Sequence, residues 1–190
     1  AWIMHFLYHL APTGQAGFVL ADTSLTTKSV VELQIKKKLV ESNLVDCIIS
    51  LPAHLFTNTQ ITACIWILSK RKQNSHANTN ISKEILFIDA SKMGALKKRK
   101  HRVLSRVDIS TIANVYNHWR LQDENYSNVT GFCQSASLDE VRKNNYNLYP
   151  NNYVVPTGQT IDIMIDFNSE ALPKKIKEVQ TRVNQKVEET

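Results

Sequence analysis

The sequence predicts an α/β fold: part of a doubly wound sheet, then a basic helical extension and a C-terminal helix. Three observations predict it. Two short apolar runs, Cys47 to Leu51 and Ala63 to Leu68, are β-branched and nearly uninterrupted, as in strands buried on both faces. A helix-spaced apolar opening, a Pro-x-Gly turn and another apolar run succeed one another between Trp2 and Asp22, the alternation that builds such sheets. A third apolar run, Ile85 to Ala90, follows the first two.

Taken in order, Trp2, Ile3, Phe6, Leu7 and Leu10 have helical spacing. The chain opens with no methionine and no lead-in to this helix, so it is expected to be the C-terminal fragment of something longer. Pro12 and Gly14 end the helix, and Ala16 to Asp22 is expected to be a buried strand. Ser29-Val-Val-Glu32 has capping-box spacing and opens a helix to about Ser42. Val31, Ile35 and Leu39 are its expected buried stripe, with Lys36, Lys37 and Lys38 on the far side and end. The connection between the two central strands is longer than a tight hairpin and has room for a site. It holds Pro52, His54, Leu55, Phe56, Asn58 and Thr59. Residues 71–83 are polar and expected to form a loop.

Beyond Ala90 the composition turns basic, with Lys92, Lys97, Lys98, Arg99, Lys100, Arg102 and Arg106. Ser105-Arg-Val-Asp108 is a cap-like start for a helix carrying Ile109, Ile112, Tyr116 and Trp119. Ser137-Leu-Asp-Glu140 is another capping box, before a short helix to about Asn144. Tyr146, Tyr149 and Tyr153 stud a turn-rich tail, either to stack on bases or, as the plainer reading, to anchor the tail. Ile161 to Phe167 alternates like a short strand. Leu172, Ile176, Val179, Val183 and Val187 then make a narrow stripe on a charged helix. The expected organisation is 1–90 for the sheet, 91–155 for the basic loop and helical extension, and 156–190 for a C-terminal arm.

Composition narrows the function classes. Lys+Arg 23 against Asp+Glu 17 gives +6, compatible with nucleic acid without demanding it. The three cysteines, Cys47, Cys64 and Cys133, have no metal-type spacing. Two of them sit inside apolar strands, where a reduced thiol behaves as a small hydrophobe, so a reducing cytoplasm is the simplest setting. No apolar run approaches the ~20 residues of a membrane span. His5 and His9 are four apart on one helix, but no third ligand is evident, and packing is the expected role.

The pattern Leu51-Pro52-x-x-Leu55-Phe56-x-x-Thr59-x-Ile61-x-x-x-x-Trp66-x-Leu68-x-Lys70 resembles the signature of the methylation subunit of type I restriction–modification systems. His9 to Gly14 followed by Ala16 to Ala21, Phe87-Ile88-Asp89-Ala90, Met93-Gly94 with Arg99 and Arg102, Gly131-Phe132-Cys133, and Tyr146-x-Leu148-x-Pro150 resemble the same family's later blocks, over about residues 1 to 155. Asn152 stands where that family usually has a basic residue. The resemblance implies an S-adenosylmethionine-dependent DNA adenine N6-methyltransferase with a Rossmann-like sheet, of which this chain holds the C-terminal half. It implies duplex DNA and the specificity and restriction subunits as partners. None of the five prolines is adjacent to another and no Gly-x-Gly occurs. The family's Asn/Asp-Pro-Pro-Phe/Tyr motif and cofactor loop are therefore absent from this stretch. No cofactor-binding residue is assigned within it, and the chain alone is expected to be inactive.

The resemblance makes Phe56 the candidate for stacking on an adenine swung out of the duplex; the alternative is a lid on the core. Asn58, Thr59 and Thr62 are candidates for base or phosphate contacts, or plain loop-formers. Lys97, Lys98, Arg99, Lys100 and Arg102 are candidates for DNA phosphates, or a solvated basic loop. The stripe from Leu172 to Val187 is a candidate surface for the specificity subunit, or folds back on its own domain. The competing function, of another class, is a non-catalytic DNA-binding or subunit-interaction module that keeps half of the fold. An enzyme using another nucleotide has no phosphate-loop glycines to support it.

Overall fold

The computed structural model describes residues 2–26, 29–56, 61–70, 83–98, 101–122 and 124–154. Residues 1 to 157 form one compact unit. Helix α1 (Trp2–His9) leads through the turn at Pro12 and Gly14 into β1 (Gln15–Ala21). A 3-10 turn (Asp22–Ser24) and α2 (Val30–Glu41) precede β2 (Val45–Ser50), β3 (Ala63–Ser69) and β4 (Glu84–Asp89). A small hairpin, β5 (Ala95–Lys98) and β6 (His101–Val103), then leads to α3 (Arg106–Leu121), β7 (Cys133–Ser137), α4 (Leu138–Lys143) and a 3-10 turn (Pro150–Asn152).

The five long strands lie in the order β1-β3-β2-β4-β7. β3 is antiparallel to both β1 and β2, β2 is parallel to β4, and β4 is antiparallel to β7. The sheet is therefore mixed, and β1, β2 and β4 all point their C-terminal ends to one rim. Its centre follows composition: every residue of β2 is buried, as an apolar strand with neighbours on both sides requires. Leu7, Leu39, Val40, Ile48, Trp66, Leu68 and Phe87 pack on one face. Cys47, Ile49, Leu86, Ile88, Trp119 and Cys133 pack on the other.

Several expectations are corrected. β1 is not a buried strand: exposed and half-buried residues alternate along it, because among the described residues it pairs on one side only. In α2, Leu39 is buried and Ile35 packs against the core as expected, but Val31 is exposed, and Val40 and Lys36 are buried in addition. The Lys36 stem runs through the core and its ammonium donates to the Leu25 carbonyl at 2.7 Å; burial pushes its pKa down. Ser29 stands at the α2 N-cap but makes no side-chain capping bond. Ile109 in α3 is exposed, whereas Ile112, Val115, Tyr116 and Trp119 face the sheet. Strands β5, β6 and β7 are additions to the sequence reading, and β7 joins the main sheet.

The capping boxes at Ser105/Asp108 and Ser137/Glu140 are both formed. The tyrosines of the tail anchor it. Tyr153 stacks on Phe87 at 3.8 Å and 6° and donates to the Asn147 carbonyl at 2.5 Å, while Tyr146 donates to Glu41 at 2.7 Å. All three cysteines are reduced and buried, and Trp66 is core. The possible strand from Ile161 to Phe167 and the stripe Leu172, Ile176, Val179, Val183, Val187 lie outside the described residues. No helix among the described residues is long and apolar enough to cross a membrane.

Candidate nucleic-acid interface at the sheet rim

The segment after β2 is fastened to the rim at its start. Leu51 donates to the Ala63 carbonyl at 2.8 Å, and Ala90 donates to the Ser50 carbonyl at 3.0 Å. Leu51 and Pro52 are buried. His54 then adopts φ 64°, the left-handed region that non-glycine residues enter rarely. The turn it makes separates its two apolar successors. Leu55 packs into the core on the α3 side, and Phe56 is left 40% exposed. The core lid is thus Leu55, while the Phe56 ring is available at the surface. Asn58 and Thr59 lie outside the described residues. Thr62 accepts from the Asp22 amide through its carbonyl at 3.1 Å.

Beside this loop stands the β5–β6 hairpin. Lys97 is exposed on β5. Lys98 is the last residue of β5; its side chain, and all of Arg99 and Lys100, lie outside the described residues. Arg102 is placed differently from a free phosphate ligand. Its Nη1 donates to the carbonyls of Met93 at 3.0 Å, Gly94 at 3.1 Å and Lys92 at 3.5 Å. Its backbone amide donates to the His54 carbonyl at 2.8 Å.

The rim also gathers polar residues that the sequence reading passed over. Asp22, Ser50 and Asp89 lie at or just beyond the C-terminal ends of β1, β2 and β4, with Ser50 paired to Asp89 in register. Burial raises the Asp22 carboxyl, a bond with Thr62 opposes the rise, and Asp89 adds to it. Tyr149, from the tail, is raised by burial and by the same two carboxylates. The signal available in sequence was position: each carboxylate directly closes an apolar strand. His5 and His9 meet edge to face at 4.6 Å, and no group of metal-ligating side chains occurs among the described residues.

The family model described as N-6 DNA Methylase matches residues 1–161. The chain belongs to the N-6 DNA methylase family. Within that family it is 38% identical over 162 residues to the HindI methylase subunit of Haemophilus influenzae, a type I restriction enzyme, covering 85% of this chain and 35% of that protein. It is 32% identical over 193 residues to the MjaIX methylase subunit of Methanocaldococcus jannaschii, covering 99% of this chain and 33% of that one. This N-6 DNA methylase chain therefore spans about a third of the length of these curated relatives. Among solved structures, the type I restriction-modification methyltransferase subunit from Streptococcus thermophilus superposes with a TM-score of 0.68 at 32% identity, over 80% of this chain and 29% of that one. The EcoKI M protein shares the fold, with a TM-score of 0.59 at 14% identity over 82% of this chain and 37% of that one.

Proposed function

We propose that this chain is the rim-forming part of a type I DNA adenine N6-methyltransferase subunit that modifies adenine in duplex DNA. The observation that carries the proposal is the division at Leu55 and Phe56: one side chain is in the core, and its neighbour is an exposed aromatic ring at the strand ends. An amino group inside a duplex is reached only when its base leaves the stack, at a cost of a few kcal/mol. An aromatic face returns ~1–3 kcal/mol per stacked base. Phe56 is that face. Asn58 and Thr59 are proposed hydrogen-bonding partners of base or phosphate, and Lys97, Lys98, Arg99 and Lys100 neutralise phosphates. Specificity and restriction subunits complete the assembly, with Leu172 to Val187 as the surface for a partner helix. The three reduced thiols suit the cytoplasm.

S-adenosylmethionine is the proposed methyl donor of the full-length subunit. The described residues do not fit a cradle for it: Gly94 and Gly131 serve turns at φ 77° each, and Gly17 lies within β1. We therefore assign no step of the transfer to this stretch, and this stretch alone is expected to transfer no methyl group.

The test is transfer of labelled methyl to duplex DNA by the full-length subunit with its specificity partner. Phe56→Ala is expected to lower the rate by about 5- to 150-fold, the equivalent of ~1–3 kcal/mol. An unchanged rate would return Phe56 to a structural role. No transfer by the wild type would favour a non-catalytic module.

A further inference from the structure

We infer that Arg102 is a positioning residue that makes the basic hairpin and the Phe56 loop one mechanical unit. The inference rests on the base-stacking reading of Phe56 and adds what holds that ring in place.

Both halves of Arg102 contribute. Its amide donates to the His54 carbonyl, although residue 102 pairs with Leu96 within the hairpin. The β6 edge thus reaches across to the loop after β2. Its guanidinium gathers the carbonyls of Lys92, Met93 and Gly94, closing the turn that enters β5. That turn is tight: Gly94 has φ 77°, and a Cβ there would meet the Val103 carbonyl at 2.8 Å. The turn is also rooted in the sheet. Met93 donates to the Ala90 carbonyl at 3.0 Å and packs in the same core cluster as Leu55.

His54 is the joint. A non-glycine residue keeps a left-handed backbone only when its surroundings impose it, and the bond from the Arg102 amide acts on that residue's carbonyl. Reversal at His54 sends Leu55 inward and Phe56 outward. With Nη1 committed to these carbonyls the guanidinium is fixed against the turn, and the inference leaves the phosphates to Lys97 and its basic neighbours while Arg102 passes the hairpin's position to the ring.

The experiment uses the full-length subunit with its specificity partner and a duplex carrying 2-aminopurine at the target adenine. Fluorescence reads extrusion of the base, and titration at several salt concentrations reads affinity. Arg102→Ala keeps the amide that reaches His54 but releases the turn entering β5, and is expected to cut the extruded fraction about tenfold, the scale of losing a charged hydrogen bond. DNA affinity should stay within about twofold and its salt slope should not change, since no phosphate contact is lost. Equal extrusion in the variant would overturn the inference, and so would weaker binding with a flatter slope, which would make Arg102 a phosphate ligand. No extrusion signal in the wild type would overturn the stacking reading itself, and this inference with it. A second measurement needs no variant. In the wild type, amide exchange at residues 53–56 and 101–104 is expected to slow together when DNA binds; slowing of one segment alone would overturn the coupling.

Discussion

The two faces of the sheet are fastened in opposite ways. On one face the sheet sends out the tryptophan: Trp66 of β3 rises among α1, α2 and the tail, and its indole donates to Ser24 at 3.1 Å. On the other face the helix sends in the tryptophan. Trp119 of α3 enters the sheet side and donates to Ser135 at 2.8 Å, which in turn donates to Glu84 at 2.6 Å. A second tether joins α3 to β2, where Tyr116 donates to the buried Asp46 carboxylate at 2.6 Å and also meets Gln15. Burial, and then Asp46, push the Tyr116 hydroxyl far above its usual pKa, so it remains a donor. The first face is held by many apolar contacts shared among three segments. The second has an apolar cluster of its own, to which one helix adds a few directed bonds to the strands. Volume is therefore the sensitive quantity on the first face, and on the second hydrogen bonding from α3 is added to it.

The largest effect that would sharpen this contrast is Trp66→Ala, expected to cost about 3–5 kcal/mol and to shift the denaturant midpoint of the whole unit. A loss confined to α1 and α2 would break the picture of a shared core. Tyr116→Phe comes next. It keeps the volume and removes the donor to a buried carboxylate, so a loss of about 1–3 kcal/mol is expected, with faster amide exchange in α3 and no change in α2. Equal acceleration in both helices would dissolve the distinction between faces.

Asp22→Asn should move stability the other way. A carboxyl whose folded pKa is raised contributes stability below its unfolded value of 3.8 and loses it as pH rises through the folded value. The variant should therefore melt higher at neutral pH, with the gain vanishing near pH 3; a gain independent of pH would point away from burial of the charge. The smallest effect belongs to Glu41. Hydrogen bonds from Arg142, at 2.6 Å, and Tyr146 hold its carboxyl down at about 2 from the ordinary 4.5. Its contribution is present above 4.5 and lost as pH falls toward 2. The side chains of Glu41 and Arg142 are 38% and 45% exposed, so solvent screens the pair. Glu41→Gln should lower the melting temperature only slightly at pH 7, with the difference fading as pH falls through about 2.

Much of the frame is legible in the chain itself. The apolar runs that become β2, β3 and β4 carry their own pattern, and Ser105 and Ser137 announce α3 and α4 because capping is local. What escapes reading depends on neighbours. Cys133 to Ser137 is small and polar, and it is a strand because β4 offers it an edge, with Ile85 paired to Ala136. β1 is as apolar as β2, yet it differs in exposure because it lies at the margin of the described sheet. Lys36 is charged, which suggests solvent, while its methylenes reach the core. At the candidate site, Phe56 stands out in sequence as an aromatic in a loop. Its separation from Leu55 depends on the backbone of His54, and Arg102 is hidden within a charge run because its partners are carbonyls.

The three sheltered thiols have a practical consequence. Burial pushes Cys64 up to about 11 and raises Cys133 as well, and alkylating reagents attack only an accessible thiolate. Cys64 faces the side under α1 and α2, whereas Cys47 and Cys133 face the side under α3. The chain thus carries its own stopwatches, one beneath the first covering and two beneath the second. The order in which those cysteines take up label under mild denaturant would time which layer lifts first, with no foreign probe introduced.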